Sequence, residues 1–393
     1  MPDIGEFAQQ ATDRFLESQR GIQERFNLRL PRRAVEEFIK AAFYASMIPD
    51  EGRYPSVCLM SYRAGYERAF HFLFKHLPQP SAQEIAKLAQ ATASGSHICC
   101  ICDEGKILLG GIHVTVLNEM REVGYSSSGV ANPLKLLIRG PGHIEMSTGG
   151  LALVYKSGEI TEASVFQHSG VMRTLAGIIA QELQELTHGT VESLEEIFND
   201  LAEAIVRLGH GGMLIVAKEP NKGQFSPFRQ IDCLLLQELL IRYWNDVAAL
   251  SASAGGVGNL LASAEAGVVN PRAMPVASDT SMLENCINSI AHLAGVDGAI
   301  VMDYACKVAA FNAIIDRSAT TEAASRIVDQ DHLERRREDI LRNRGSRHQS
   351  ALFYAERVPN SFAFVISQDG GVSAFHNPAD DTVVCEMEMR VLD

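Results

Sequence analysis

The chain is short of positive charge. It has 35 Lys and Arg against 48 Asp and Glu over 393 residues, a formal net charge of −13. A surface of that sign gives nucleic acid or an anionic membrane no general attraction, since both need a positive field. One local basic site remains compatible with it. Long apolar runs are also missing. Stretches such as 233–236 fall far short of the ~20 residues that span a bilayer. The opening MPDIGEFAQQATDRF has acids where a secretion signal needs a basic region and an apolar core. A cytoplasmic protein is expected, with neither membrane nor nucleic acid as a partner. The eight cysteines are then expected to be reduced. Cys99 and Cys102 have CxxC spacing, but no second pair and no His pair at zinc spacing accompanies them. The run SHICCIC reads as a buried strand. His97, His113, His143, His168 and His188 share a region without metal-ligand spacing, so they read as structural.

What is present is ordinary globular composition, 46% hydrophobic and 21% charged, in 42.9 kDa. Two or three domains fit that length. The pattern predicts helices over 34–48, 66–74 and 81–93, then strands over 98–102, 107–109, 112–117, 134–139 and 151–155. Helices return at 171–186, 191–208 and 233–250, with a short strand at 213–216. Residues 251–278 are rich in Ala, Gly and Ser and read as a connector. Its GGVGN has no preceding strand and reads as a turn or cap. A final domain, 279–393, reads as a helix to 293, strands 299–302 and 307–313, and a polar helix 323–343. Strands follow at 350–355, 363–367, 372–375 and 383–391. The fold class is mixed α/β, a central sheet flanked by helices, in three parts: 1–250, 251–278 and 279–393.

Three segments of the final domain combine polar groups with glycine at strand ends: Asp297-Gly298-Ala299, Gly345-Ser346-Arg347-His348, and Ser367-Gln368-Asp369-Gly370-Gly371. Glycine lets backbone approach a ligand. Arg, His, Ser and backbone N–H groups donate to phosphate oxygens, and Asp can hold a divalent cation. Together they form a kit for a metal–nucleoside triphosphate. The run Glu334-Arg335-Arg336-Arg337-Glu338, with Arg342, Arg344 and Arg347, reads as a salt-bridged solvated face or as an electrostatic lure for ATP. It has no interleaved aromatics for nucleic acid.

The segments VDGAIVMDYACKVAAF, RGSRHQSALFYAE and AFVISQDGGVSAF, in that order, resemble the diadenylate cyclase catalytic domain. The resemblance covers about 115 residues. It implies condensation of two ATP into cyclic di-AMP and two pyrophosphates, with Mg²⁺ or Mn²⁺, by two domains face to face. Carried over, Asp297 would help activate the 3′-hydroxyl and bind metal. Gly298 and Ala299 would lie against the nucleotide. Ser346, Arg347 and His348 would hold the phosphates, Arg347 and His348 forming the catalytic set with Asp297. Gly345 and Gln349 would also bind ATP, and Ser367 and Asp369 would sit at the phosphate–metal end. The sequence departs from that family twice. Gln349 stands where the second motif usually has Arg, and Gln368-Asp369 stands where the last motif usually has two glutamates. A second reading follows from these departures, a nucleotide or cyclic-dinucleotide receptor on a cyclase fold.

Such cyclases often carry an N-terminal sensor, and residues 1–250 fit that place, with an unidentified small-molecule ligand. Residues 81–111 parallel 281–310 in pattern, RGPGHIEMS (139–147) echoes RGSRHQSAL (344–352), and SGEITEASVF echoes DGGVSAF. Either the N-terminal region holds a chemically silent copy of the cyclase unit, or both follow common α/β grammar. His210-Gly211-Gly212 reads as a tight connection or a ligand-binding turn.

Overall fold

The computed structural model describes residues 3–26, 31–49, 52–63, 72–92, 96–103, 105–114, 134–148, 151–187, 189–220, 224–226, 228–253, 274–318, 324, 326–379 and 381–391. It is mixed α/β, with two mixed eight-stranded sheets, each flanked by helices. The chain divides into two compact units after residue 164. No helix among the described residues is long and apolar enough to cross a membrane.

The first unit opens with helices α1 (Ile4–Phe26) and α2 (Arg32–Ser46). Val35, Phe38, Ile39, Ala42 and Ala45 form the buried stripe of α2, the three-and-four spacing that commits a helix to one face. Strands β1 (Val57–Arg63) and β2 (Phe72–Leu73) follow, then α3 (Ala82–Ala89), capped by the Ser81 side chain accepting from the Glu84 amide. The rest is β3 (Ser96–Asp103), β4 (Lys106–Val114), β5 (Lys135–Gly140), β6 (His143–Thr148), β7 (Leu151–Lys156) and β8 (Glu159–Ser164). The sheet order is β2-β4-β3-β1-β5-β6-β7-β8. The helix expected at 66–74 falls largely outside the described residues, and its end is strand β2. The two strands expected at 107–117 are one, β4. A β-carbon on its Gly111 would lie 2.3 Å from the Phe72 carbonyl oxygen, so the glycine lets β2 pair there. Cys99, Cys100 and Cys102 are buried in β3, and burial pushes the Cys102 thiol up to about 12.

The second unit begins with α4 (Gly170–Leu183) and α5 (Val191–Arg207), then β9 (Gly212–Ala217), β10 (Arg229–Cys233) and α6 (Leu235–Ser253). It continues with α7 (Met274–Leu293), β11 (Ala299–Met302), β12 (Val308–Ala313), β13 (Arg326–Asp329), α8 (Arg337–Leu341) and α9 (Ser346–Arg357). It closes with β14 (Ser361–Ile366), β15 (Gly371–Asn377) and β16 (Thr382–Arg390). The order is β10-β12-β11-β9-β14-β15-β16-β13. Residues of α4, α5, α6 and α7 pack on one face of the sheet, and Ala351, Leu352, Tyr354 and Ala355 of α9 pack on the other.

Four sequence expectations meet the structure here. Residues 165–250 belong with this sheet rather than with the N-terminal region, because every residue of β9 is buried between β11 and β14. The connector's middle, 254–273, lies outside the described residues, and helices α6 and α7 reach into its ends. The expected helix 323–343 resolves into β13 and the five-residue α8, since its charged run has no apolar stripe to bury. The expected strand 350–355 is the middle of α9. Its short apolar run is ambiguous by itself, and His348, Ala351, Leu352 and Ala355 make one buried helical face.

The two sheets repeat one topology. Strands β1 to β7 correspond in chain order to β9, β10, β11, β12, β14, β15 and β16, with the same neighbours. Directions agree throughout. The central pairs β1–β3 and β9–β11 are parallel, and the five remaining pairs of each set are antiparallel. Only the last edge differs. There β8 runs antiparallel to β7, whereas β13 runs parallel to β16. The finer echoes do not follow this correspondence. Residues 139–147 lie on the β5–β6 hairpin, the counterpart of β14–β15, whereas 344–352 lead into α9.

Candidate functional site

Strand register brings the three motifs to one end of the second sheet. β9 and β11 are parallel with Leu214 opposite Ile300, so His210-Gly211 and Asp297-Gly298 precede their strands at the same end. Ile366 of β14 lies opposite Gly212, so the turn 367–370 emerges there. Gly371 opposite Arg390 adds the end of β16.

Close backbone approach explains the glycines. Gly298 has φ +109°, and a β-carbon on it would lie 2.7 Å from the Asn312 carbonyl carbon and 2.8 Å from the Ala313 nitrogen. Only glycine lets the chain turn from Asp297 into β11 against β12. The Asn312 side-chain amide donates to the Asp297 carbonyl, fixing the turn, while Asp297 itself is exposed. Gly211 has φ +62°, and a β-carbon there would meet the Ile366 carbonyl oxygen at 2.5 Å and the Gln368 nitrogen at 3.1 Å. Ala299 is buried at the start of β11.

Helix α9 starts at this end. Gly345 is its N-cap residue and offers no side-chain cap, and its first turn contains no acid. Its amides are therefore left for another acceptor. Ser346 and Gln349 are exposed. The Arg347 guanidinium donates to the His210 carbonyl at 3.0 Å. His348 turns inward. It is 8% exposed, and its Nε2 lies 3.1 Å from Ser373 Oγ. Burial, with Arg344 nearby, holds its pKa down at about 4, so the ring is neutral at pH 7. His348 thus anchors α9 to β15 and offers no positive charge to a phosphate.

The turn 367–370 is braced from within. The Ser367 amide donates to the Gly371 carbonyl at 2.8 Å, and the Gly370 amide to the Ser367 carbonyl at 3.1 Å. Arg390 donates to the Asp369 carbonyl at 2.8 Å. Asp369 and Gln368 are exposed. Two carboxylates, Asp297 and Asp369, therefore belong to loops at this end. Among the described residues no group of three or more His, Cys, Asp or Glu is gathered for a metal. A donor set of one or two carboxylates suits Mg²⁺ or Mn²⁺ whose other ligands are phosphate oxygens and water.

The basic run is largely neutralised. Arg326 pairs with Glu334, Arg335 with Asp329, Arg337 with Glu356, Arg342 with Asp339 and Arg344 with Glu388. The salt-bridged reading holds for these residues, although only Arg342–Asp339 is a local i,i+3 pair and the others join separate segments of the chain. Sequence reasoning missed Asn312, Arg317 and Arg390, which sit in no motif. It left His210-Gly211 undecided, although a Gly-Gly before an apolar strand was the available signal.

Residues 28–114, within the first unit, match the family described as "Probable sensor domain DACNV", a domain associated with diadenylate cyclases. No curated protein matches the chain.

Proposed function

We propose that the chain is a sensor-regulated diadenylate cyclase, with the second unit catalytic and the first regulatory. The observation that carries this reading is the convergence of Asp297-Gly298, the start of α9 and the turn 367–370 at one sheet end, together with a cyclase-associated sensor family over 28–114. In this reading ATP lies across that end. The first-turn amides of α9, Ser346, Gln349 and Arg347 hold the triphosphate, Arg347 leaving the His210 carbonyl for a phosphate oxygen. Gly298, Ala299 and Gly345 give the nucleotide close backbone contact, and Ser367 joins Asp369 at the phosphate end. Asp297 accepts the proton of the ribose 3′-hydroxyl, whose oxygen attacks the α-phosphorus of an ATP held by a second copy. Pyrophosphate leaves, and the reciprocal attack closes the ring. Two catalytic units must therefore face each other, so self-association belongs to the mechanism. Asp297 and Asp369 would hold the divalent cation, which supplies charge neutralisation at the phosphates. The first unit binds a small molecule that sets the rate. The reaction belongs in the cytoplasm, where ATP is available.

The test is product analysis. Purified protein is incubated with ATP and Mn²⁺ or Mg²⁺, and nucleotides are resolved by chromatography and mass. Cyclic di-AMP is expected, falling at least about 100-fold in Asp297→Asn, the scale of a lost acid–base group. Binding of ATP or dinucleotide without product, with either metal at high protein concentration, would favour the receptor reading that Gln349 and Gln368 suggest.

A further inference from the structure

Arg317 follows β12 and belongs to none of the three motifs, yet it lies along the first turn of α9. One terminal nitrogen donates to the Ser346 carbonyl at 3.2 Å and to the Ser350 hydroxyl at 2.8 Å. The other lies 3.5 Å from the Gln349 side-chain oxygen. These acceptors are all neutral, and the side chain is exposed. A cation beside a helix N-terminus opposes the helix dipole. Here the first turn has no acid to offset it, and Arg347 adds a second guanidinium bonded to a neutral carbonyl. Arg344, by contrast, is matched by Glu388 at 2.6 Å. Arg317 therefore places positive charge beside Gln349, the one position of the RGSRHQ run where the resemblance leads to expect a further cation, at a helix start that carries a second guanidinium on Arg347.

We propose that Arg317 is a phosphate-binding residue of the nucleotide site, supplying from the loop after β12 the positive charge that Gln349 lacks. The inference rests on the ATP reading above. A planar guanidinium already at Ser346 and Gln349 can exchange neutral acceptors for phosphate oxygens, which bind it more strongly. The cation is carried by a different element, but it serves the same end of the same helix.

The test uses the full chain, Mn²⁺ and the non-cleavable α,β-methylene analogue of ATP, with adenosine as the phosphate-free probe, in calorimetric titrations. Arg317→Ala should weaken the analogue at least tenfold and leave adenosine within twofold. Arg317→Lys should recover part of the loss. Adding Gln349→Arg to Arg317→Ala should restore analogue binding to within about threefold of the unsubstituted chain. An unchanged analogue affinity in Arg317→Ala would overturn the inference while leaving the ATP reading standing. Equal losses for analogue and adenosine would assign Arg317 a structural role and overturn it too, as would failure of Gln349→Arg to restore binding. An unsubstituted chain that binds no analogue would remove the ATP reading and this inference with it.

Discussion

His348 shows how a motif residue can serve a site without facing it. Its ring is buried against Ser373 and held at a pKa of about 4, below the ordinary 6.5, first by desolvation and then by Arg344. The unfolded chain takes up a proton on this ring below pH 6.5, and the folded chain does not until about pH 4. Stability from this group is therefore complete above pH 6.5 and drains away as pH falls toward 4, by at most about 3 kcal/mol. His348→Gln removes the titration. The stability advantage of the unsubstituted chain should accordingly shrink by roughly 2–3 kcal/mol between pH 7.5 and 4.5 in urea unfolding. A difference that does not vary with pH would mean that folding leaves the ring's pKa at its ordinary value and that burial does not hold it neutral. The residue type was legible from sequence, but its orientation was not. Orientation depends on which face of α9 meets the sheet, and that is a property of the element.

At the scale of elements, legibility followed the strength of the local pattern. Helices α2, α4 and α5 and strands β11 and β12 lie close to where periodicity places them, because each buries a regular apolar set. Segment 323–357 did not read correctly. Charged residues with high helix propensity mark 334–338, but β13 gains its ladder by pairing with β16, more than fifty residues later, and no local signal carries such a pairing. The position of β9 was hidden for the same reason, and with it the domain boundary. Gly211 tests that junction. Its φ of +62° and the 2.5 Å approach to the Ile366 carbonyl arise only because β9 and β14 are neighbours. Gly211→Ala should destabilise the second unit by about 2 kcal/mol or more in urea unfolding, combining an unfavourable φ with a backbone clash. An unchanged midpoint would separate β9 from β14 and return residues 165–250 to the N-terminal region.

At the scale of the whole molecule, the repeated topology gives the chain two sheet ends of one design, and chemistry distinguishes them. In the second unit the approach to β11 carries Asp297 and Gly298. In the first, residues 91–98 approaching and entering β3 contain no acid, and the His97 ring is stacked on Tyr62, with 2.7 Å between Nε2 and the phenol oxygen. At the next hairpin, the counterpart of the turn 367–370, Glu145 is 1% exposed and lies between His143 and Arg139. A buried, paired carboxylate of this kind stiffens a fold but cannot meet a metal-bound triphosphate. Among the described residues the first sheet end thus keeps the strand order without exposed counterparts of Asp297 and Asp369, the carboxylates on which the nucleotide reading rests, in keeping with a regulatory role for this unit, of which residues 28–114 match a sensor family. If the second unit binds ATP as proposed, strand order alone would give two such sites per chain, whereas the side chains provide for one. Calorimetric titration of the full chain with the α,β-methylene analogue and Mn²⁺ should therefore saturate at one molecule per chain. Arg139→Ala should leave that stoichiometry and affinity unchanged, while Arg347→Ala should lower the affinity. Two equivalent sites per chain would mean that the first unit kept nucleotide recognition through contacts other than an exposed carboxylate, and that its regulation works through ATP itself.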